Sequence, residues 1–201
     1  MNSYFQYGQK EIEYLKKKDK NLSAAIDRIG MIKRVVIPNP FEALIFSIIG
    51  QQISNKAAAT VWNRFCILIE SVTPENILKT KKEAIQECGM TTRKAGYILG
   101  IAEAAMGGAI EFHKLHLLPD KDIIKVLSCL NGVGIWTAEM LLIHSLNRLD
   151  IVSYGDLAIR RGMMKLYDLK DLSKEQFERY RTRYSPYGSV ASLYLWELSV
   201  E

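Results

Sequence analysis

Apolar residues return at three- and four-residue steps along most of this chain, the period of a helix rather than the two-residue alternation of a strand. Phe41, Leu44, Ile45, Ile48 and Ile49 form the clearest run, and Pro38 and Pro40 mark where that helix begins. Residues 54–69 read as the next helix, with Ala57, Val61, Trp62 and Phe65 on one side. Gly50-Gln51-Gln52-Ile53 is the short connector between them. Thr73-Pro74-Glu75 has the cap, the first-position proline and the first-turn acid of a helix start. Further helices are predicted over 93–105, closed by Gly107-Gly108, and over 120–129 after Pro119. Four more are predicted over 136–146, 156–166, 174–184 and 189–198. Val35-Val36-Ile37 is the best strand candidate, but the prolines after it predict an extended linker instead. The fold class expected is all-α, built from many short helices, with no internal repeat.

Composition narrows the setting without choosing a function. The 201 residues suffice for one compact domain or two small lobes. The polar, Lys-rich start is unlike a signal peptide, and the apolar stretch at 41–49 is too short to span a bilayer. No membrane partner is expected. Cys66, Cys88 and Cys129 lie far apart with no metal-ligand spacing, which predicts a reduced, cytoplasmic protein without an iron–sulfur cluster. His113, His116 and His144 also lack metal spacing, and the first two read as exposed loop residues. The net charge of +5 suits a polyanionic partner but does not establish one. Lys33-Arg34, Arg93-Lys94 and Arg160-Arg161 each lie near a glycine or a helix start, whereas Lys16-Lys17-Lys18 reads as a solvated helix face.

The most informative stretch is Leu130-Asn131-Gly132-Val133-Gly134-Ile135-Trp136-Thr137-Ala138. Two glycines one residue apart allow positive φ and a close backbone approach, and the following helix start leaves N–H groups pointing outward. Such a turn suits a phosphate, although glycine spacing alone more often marks a tight turn between packed helices. Twenty residues beyond Trp136 (156 − 136) comes Asp156, in Ser153-Tyr154-Gly155-Asp156-Leu157-Ala158-Ile159-Arg160-Arg161-Gly162. Taken alone, Asp156 reads as readily as a helix cap as a functional carboxylate.

Together, these two blocks resemble the helix-hairpin-helix glycosylase superfamily, over a span from about residue 40 to the C-terminus. The resemblance implies a helix-hairpin-helix DNA glycosylase fold of two helical lobes with a cleft between them. One lobe would span about 40–125; the other would combine 1–39 with 126–201 and carry both hairpin and aspartate. The chain has no room for the N-terminal β-domain that some relatives carry. Members that also cut the DNA backbone use a lysine where this chain has Trp136, and an indole cannot form a Schiff base. Gly-Ile-Trp-Thr-Ala-Glu-Met therefore resembles the 3-methyladenine DNA glycosylase II group. Tyr184-Ser185-Pro186-Tyr187-Gly188-Ser189, followed by Leu193-Tyr194-Leu195-Trp196, resembles that group's C-terminal block. Gly188 departs from it, since many relatives have arginine there.

The resemblance implies a monofunctional enzyme of base excision repair. It would flip an alkylated purine such as 3-methyladenine or 7-methylguanine from double-stranded DNA and hydrolyse its glycosidic bond. Asp156 would be the catalytic carboxylate, with Trp136, Trp196 and Met140 around the base. Gly132, Val133, Gly134 and Thr137 would form the DNA-binding hairpin. Gln52, or alternatively Gln51, would be the wedge that fills the stack. No cofactor is implied beyond a possible monovalent cation at the carbonyls near Leu130 and Gly132. A monomer is expected. Two other readings remain: a glycosylase for deaminated or oxidised bases, and a non-catalytic helix-hairpin-helix DNA-binding module.

Overall fold

A computed structural model describes residues 3–200. In chain order the elements are β1 (Ser3–Tyr4), α1 (Gln9–Lys18), α2 (Lys20–Ile29), β2 (Val35–Val36), α3 (Pro40–Gly50), α4 (Asn55–Ile69), α5 (Pro74–Leu78) and α6 (Lys82–Glu87). They continue with α7 (Thr92–Met106), a 3-10 turn (Phe112–Leu117), α8 (Asp120–Leu127), α9 (Ile135–His144), α10 (Leu157–Leu166), α11 (Lys174–Tyr184) and α12 (Gly188–Val200). None of these helices is long and apolar enough to cross a membrane.

The expected linker at 35–37 is in part a strand. Val35 and Val36 pair antiparallel with Tyr4 and Ser3, and Phe5 N–H extends the ladder to the Arg34 carbonyl at 2.8 Å. A two-residue pairing leaves no alternation to detect, which is why local pattern missed it. In α4 the buried positions are Ala58, Val61, Phe65 and Ile69, so the core face is set by Ala58 and not by Ala57, which is exposed. His113 and His116 are exposed, in the 3-10 turn rather than a loop.

The chain forms two compact units, Ile37–Leu141 and the combination of Met1–Val36 with Leu142–Glu201. The second boundary differs from the expected one near 125. Residues 126–141, and the hairpin with them, belong to the middle unit because the turn packs on α7 and bonds to the connector after α3.

In the middle unit, α3 is the central helix. Asn39 caps it by accepting from the Phe41 and Glu42 N–H groups, Pro40 opens it, and Phe41, Leu44, Ile45, Ile48 and Ile49 are all buried. Around it lie Val61 and Phe65 of α4, Ile98 and Ile101 of α7, and Phe112, whose ring meets Phe41 edge to face at 5.3 Å.

In the other unit, α10 and α12 form the tightest helix pair. A Cβ on Gly162 would lie 1.9 Å from the Leu195 carbonyl oxygen, so the two backbones meet where only glycine fits. Around this pair are Leu15, Leu22, Phe177 and Tyr184, and α12 itself adds Tyr194, all fully buried.

Candidate functional site

The hairpin turn is held from beneath and from one side. Gly132 has φ +84, and a Cβ there would fall 2.2 Å from the Tyr97 ring of α7. Both its backbone conformation and its neighbour therefore demand glycine. Val133 is 5% exposed and Thr137 3%, so both anchor the hairpin inward rather than present themselves. Gly134 differs: nothing lies within 4 Å of a Cβ placed on it, and it is exposed. The first turn of α9 follows directly, with Ile135 63% and Trp136 39% exposed. Met140, one turn further on, is buried.

The connector between α3 and α4 places the two glutamines in different environments. Gln51 Nε2 donates to the Gly132 carbonyl at 2.9 Å and to Thr137 Oγ1 at 3.4 Å, tying the connector to the hairpin. Gln52 is exposed and has φ 58, a left-handed conformation unusual for a residue with a Cβ. Lys94 of α7, which the sequence marked only as part of a basic pair, reaches the same connector. Its Nζ donates to the Ile49 carbonyl at 2.8 Å and the Gln51 carbonyl at 2.6 Å. Burial lowers its pKa from the usual lysine value. The Gly132 carbonyl accepts from Gln51 and the Leu130 carbonyl accepts from Val133 N–H at 3.1 Å. Among the described residues, no cluster of three His, Cys, Asp or Glu side chains is placed to hold a metal ion.

In the other unit, Asp156 is the N-cap of α10. Its Oδ1 accepts from Ile159 N–H at 2.9 Å, and the residue is only 7% exposed. The segment before it is strapped to the start of α12. Asp150 accepts from Gly188 N–H at 3.1 Å and from the Ser185 hydroxyl at 2.6 Å, Ile151 N–H donates to Ser189 Oγ, and Ser192 Oγ donates to the Ile151 carbonyl. These bonds fix the chain entering α10, and the Gly162 contact fixes the helix itself. A Cβ on Gly188 would fall 2.8 Å from Asp150 Oδ1 and 2.7 Å from Val152. A side chain at position 188 would therefore have to displace the Asp150 carboxylate and the Val152 side chain of the strap.

His144, the last residue of α9, stacks on Trp196 with ring centroids 5.4 Å apart, and the Arg34 guanidinium lies over the Trp196 ring at 5.5 Å. Arg34 also pairs with Glu197 at 3.3 Å. Burial first, and then the positive charge of Arg34, bring the His144 pKa down to about 4, while the Asp156 charge acts in the opposite direction. His144 is therefore a neutral imidazole at neutral pH. The sequence offered no sign of this cluster, since its members come from three separated segments.

The structure thus brings Gln51, Gly132 and Thr137 together directly, and it places Asp156 at a helix cap as expected. Trp196 has less aromatic surface free than expected, because Arg34 and His144 already engage its ring. Met140 is packed in the core.

The chain resembles known proteins over most of its length. Residues 45–186 match the family model described as HhH-GPD superfamily base excision DNA repair protein. The chain is 34% identical over 165 residues to DNA-3-methyladenine glycosylase 1 of Schizosaccharomyces pombe, covering 80% of this chain and 72% of that protein. It is 28% identical to the alkylbase DNA glycosidase-like protein mag2 of the same organism, covering 92% and 91%. Among solved structures, the DNA-3-methyladenine glycosidase of Bacillus halodurans superposes with a TM-score of 0.85 at 32% identity, covering 98% of this chain and 92% of that one. The S. pombe 3-methyladenine DNA glycosylase in complex with abasic DNA gives 0.81 at 31% identity, covering 94% and 96%. With more than half of its length matched and both the hairpin and the capped aspartate inside the match, this chain belongs to the HhH-GPD superfamily of base excision DNA repair proteins.

Proposed function

We propose that the chain is a monofunctional DNA glycosylase that hydrolyses the N-glycosidic bond of alkylated purines flipped from double-stranded DNA, leaving an abasic site. The observation that carries this reading is Asp156, a nearly buried carboxylate held at a helix cap by two independent sets of contacts. As the base departs, positive charge builds on the sugar. A carboxylate that needs no reorganisation stabilises that charge and orients the attacking water. A purine alkylated at N3 or N7 is cationic and leaves readily, so no second acid is required.

The remaining roles divide between the units. Gly134, with open space where a side chain would be, lets a DNA phosphate approach the N-terminus of α9. Leu130 and Gly132 offer carbonyl lone pairs to a monovalent cation beside that phosphate. Gln52, exposed at the tip of its connector, is the wedge; Gln51 is the tie. Trp136, partly exposed on α9, supplies an electron-rich face for a cationic base, worth ~0.5–2 kcal/mol. Trp196 supports the cluster with His144. With Trp136 standing where a Schiff-base lysine would be, backbone cleavage is absent. The enzyme works as a cytoplasmic monomer without an organic cofactor.

Asp156→Asn is a clean test, because asparagine caps a helix as well as aspartate does and the fold should survive. Release of 3-methyladenine and 7-methylguanine from methylated duplex DNA should fall by about a hundredfold or more. Binding to an abasic-site duplex should change by no more than about twofold. Equal release by the variant overturns the assignment of Asp156. Release of only deaminated or oxidised bases overturns the substrate class. Borohydride trapping on abasic DNA should leave no covalent adduct, and an adduct would refute monofunctional action.

A further inference from the structure

We infer that Lys94 is a positioning residue for the wedge, holding the Gln51 backbone so that Gln52 stands at a fixed place relative to the hairpin. The inference rests on the reading of Gln52 as the wedge. Helix α3 ends at Gly50, and its last carbonyls have no partner within the helix. Lys94 Nζ supplies partners to two carbonyls at this end, those of Ile49 and Gln51, where a cation also meets the negative end of the helix dipole.

The second of these bonds matters most. The Gln51 carbonyl lies in the peptide plane that joins residue 51 to residue 52. Fixing its oxygen fixes the plane from which Gln52 projects. Gln52 is left-handed at φ 58, a conformation that a loose connector would abandon for a relaxed one.

The Gln51 side chain is pinned as well, to Gly132 and Thr137. Residue 51 is therefore held at its backbone by α7 and at its side chain by the hairpin. Three residues after Lys94, on the same face of α7, the Tyr97 ring fills the space beneath Gly132. One face of one helix thus supports both DNA-contacting elements, and wedge and hairpin move as a single body. Lys94 is only partly exposed, and its lowered pKa fits a cation committed to carbonyls rather than to solvent.

A misplaced wedge matters where stacking and pairing draw the base back into the helix, and much less where the base is already unstacked. The discriminating quantity is the ratio of base release from duplex to release from single-stranded methylated DNA. A loss of general stability lowers both alike. Lys94→Met should lower this ratio about tenfold, the loss expected for one charged hydrogen-bond pair, with its melting temperature followed in parallel. Gln51→Leu should lower it similarly, and the double variant should lose no more than the larger single loss, as one tether requires. If Lys94→Met is too unstable to assay, Gln51→Leu carries the same expectation.

A second readout does not need catalysis. In a duplex with a tetrahydrofuran abasic analogue beside 2-aminopurine, wild type should change the probe's fluorescence on inserting the wedge, and the variants should do so less. A duplex-to-single-strand ratio within about twofold of wild type, or an unchanged 2-aminopurine signal, overturns the role of Lys94. If wild type releases no base from either DNA form, the proposed activity fails, and the 2-aminopurine signal still decides the tether.

Discussion

At the hairpin, Val133 and Thr137 are turned inward and bare backbone remains at the surface; at Asp156, backbone is committed to packing and one side chain is held for use. The hairpin depends on a positive φ at Gly132, an aromatic ring beneath it and a glutamine tie. The Asp156 region depends on a strap of hydrogen bonds from residues 150–151 to α12 and on a helix crossing too close for any side chain. The contrast matches the chemistry proposed for each. A phosphate is recognised by N–H groups that any residue can supply, so the sequence there is selected for shape. Charge on a sugar must be met by one carboxylate, so the sequence there is selected for placement.

The sharpest way to break the Asp156 side of this comparison is at Gly162, far from any reacting atom. Gly162→Ala puts a methyl 1.9 Å from the Leu195 carbonyl oxygen, a backbone atom that cannot swing away. The helices must separate, and a loss of about 4 kcal/mol is expected in denaturant unfolding. Base release by whatever fraction remains folded should also fall, because α10 carries Asp156 at its start. A variant with wild-type stability and activity would show that the crossing does not position the carboxylate.

How far the two regions could be read from sequence differs for the same reason. The hairpin and the Asp156 cap are local patterns: glycine spacing, a polar residue before an apolar helix, and a fixed interval between them. The face of α3 was equally legible, since every expected apolar position is buried. Three features were not. The β1–β2 pair joins segments about thirty residues apart through two residues each, too few to show alternation. The tie from Gln51 to Gly132 is made across 81 positions and leaves no local sign. Lys94 and His144 take their roles from partners in other helices, and nothing beside them in the chain distinguishes them from surface residues. Even the unit boundary follows this rule, because it is the tertiary tie to α7 and to the connector that draws the hairpin into the middle unit.

His144 gives the next largest effect, through pH. Its pKa is about 4 in the folded chain and about 6.5 when unfolded, so between these values the unfolded state binds a proton that the folded state refuses. Stability therefore falls as pH drops from about 6.5 toward 4, by roughly 3 kcal/mol in all, and this contribution is constant above that window. His144→Phe keeps a ring against Trp196 and removes the proton site. Urea unfolding from pH 7 to pH 4.5 should show a flatter profile for the variant than for wild type. Parallel profiles would place the acid sensitivity elsewhere.

The smallest effect lies within the hairpin and separates its two glycines. Gly132→Ala must hold a left-handed alanine against the Tyr97 ring, and it should cost about 2 kcal/mol in stability. Gly134→Ala meets open space at an ordinary backbone conformation, so its stability should stay within about 0.5 kcal/mol of wild type. Its consequence should appear only with DNA, where the added methyl stands in the path of a phosphate and weakens binding to an abasic-site duplex about tenfold. Because the lost contact is made by neutral N–H groups and no charged side chain is removed, the slope of log affinity against log salt should stay close to that of wild type. If Gly134→Ala bound DNA as tightly as wild type, the open space above it would not be a phosphate seat, and the hairpin's outward backbone would need another explanation.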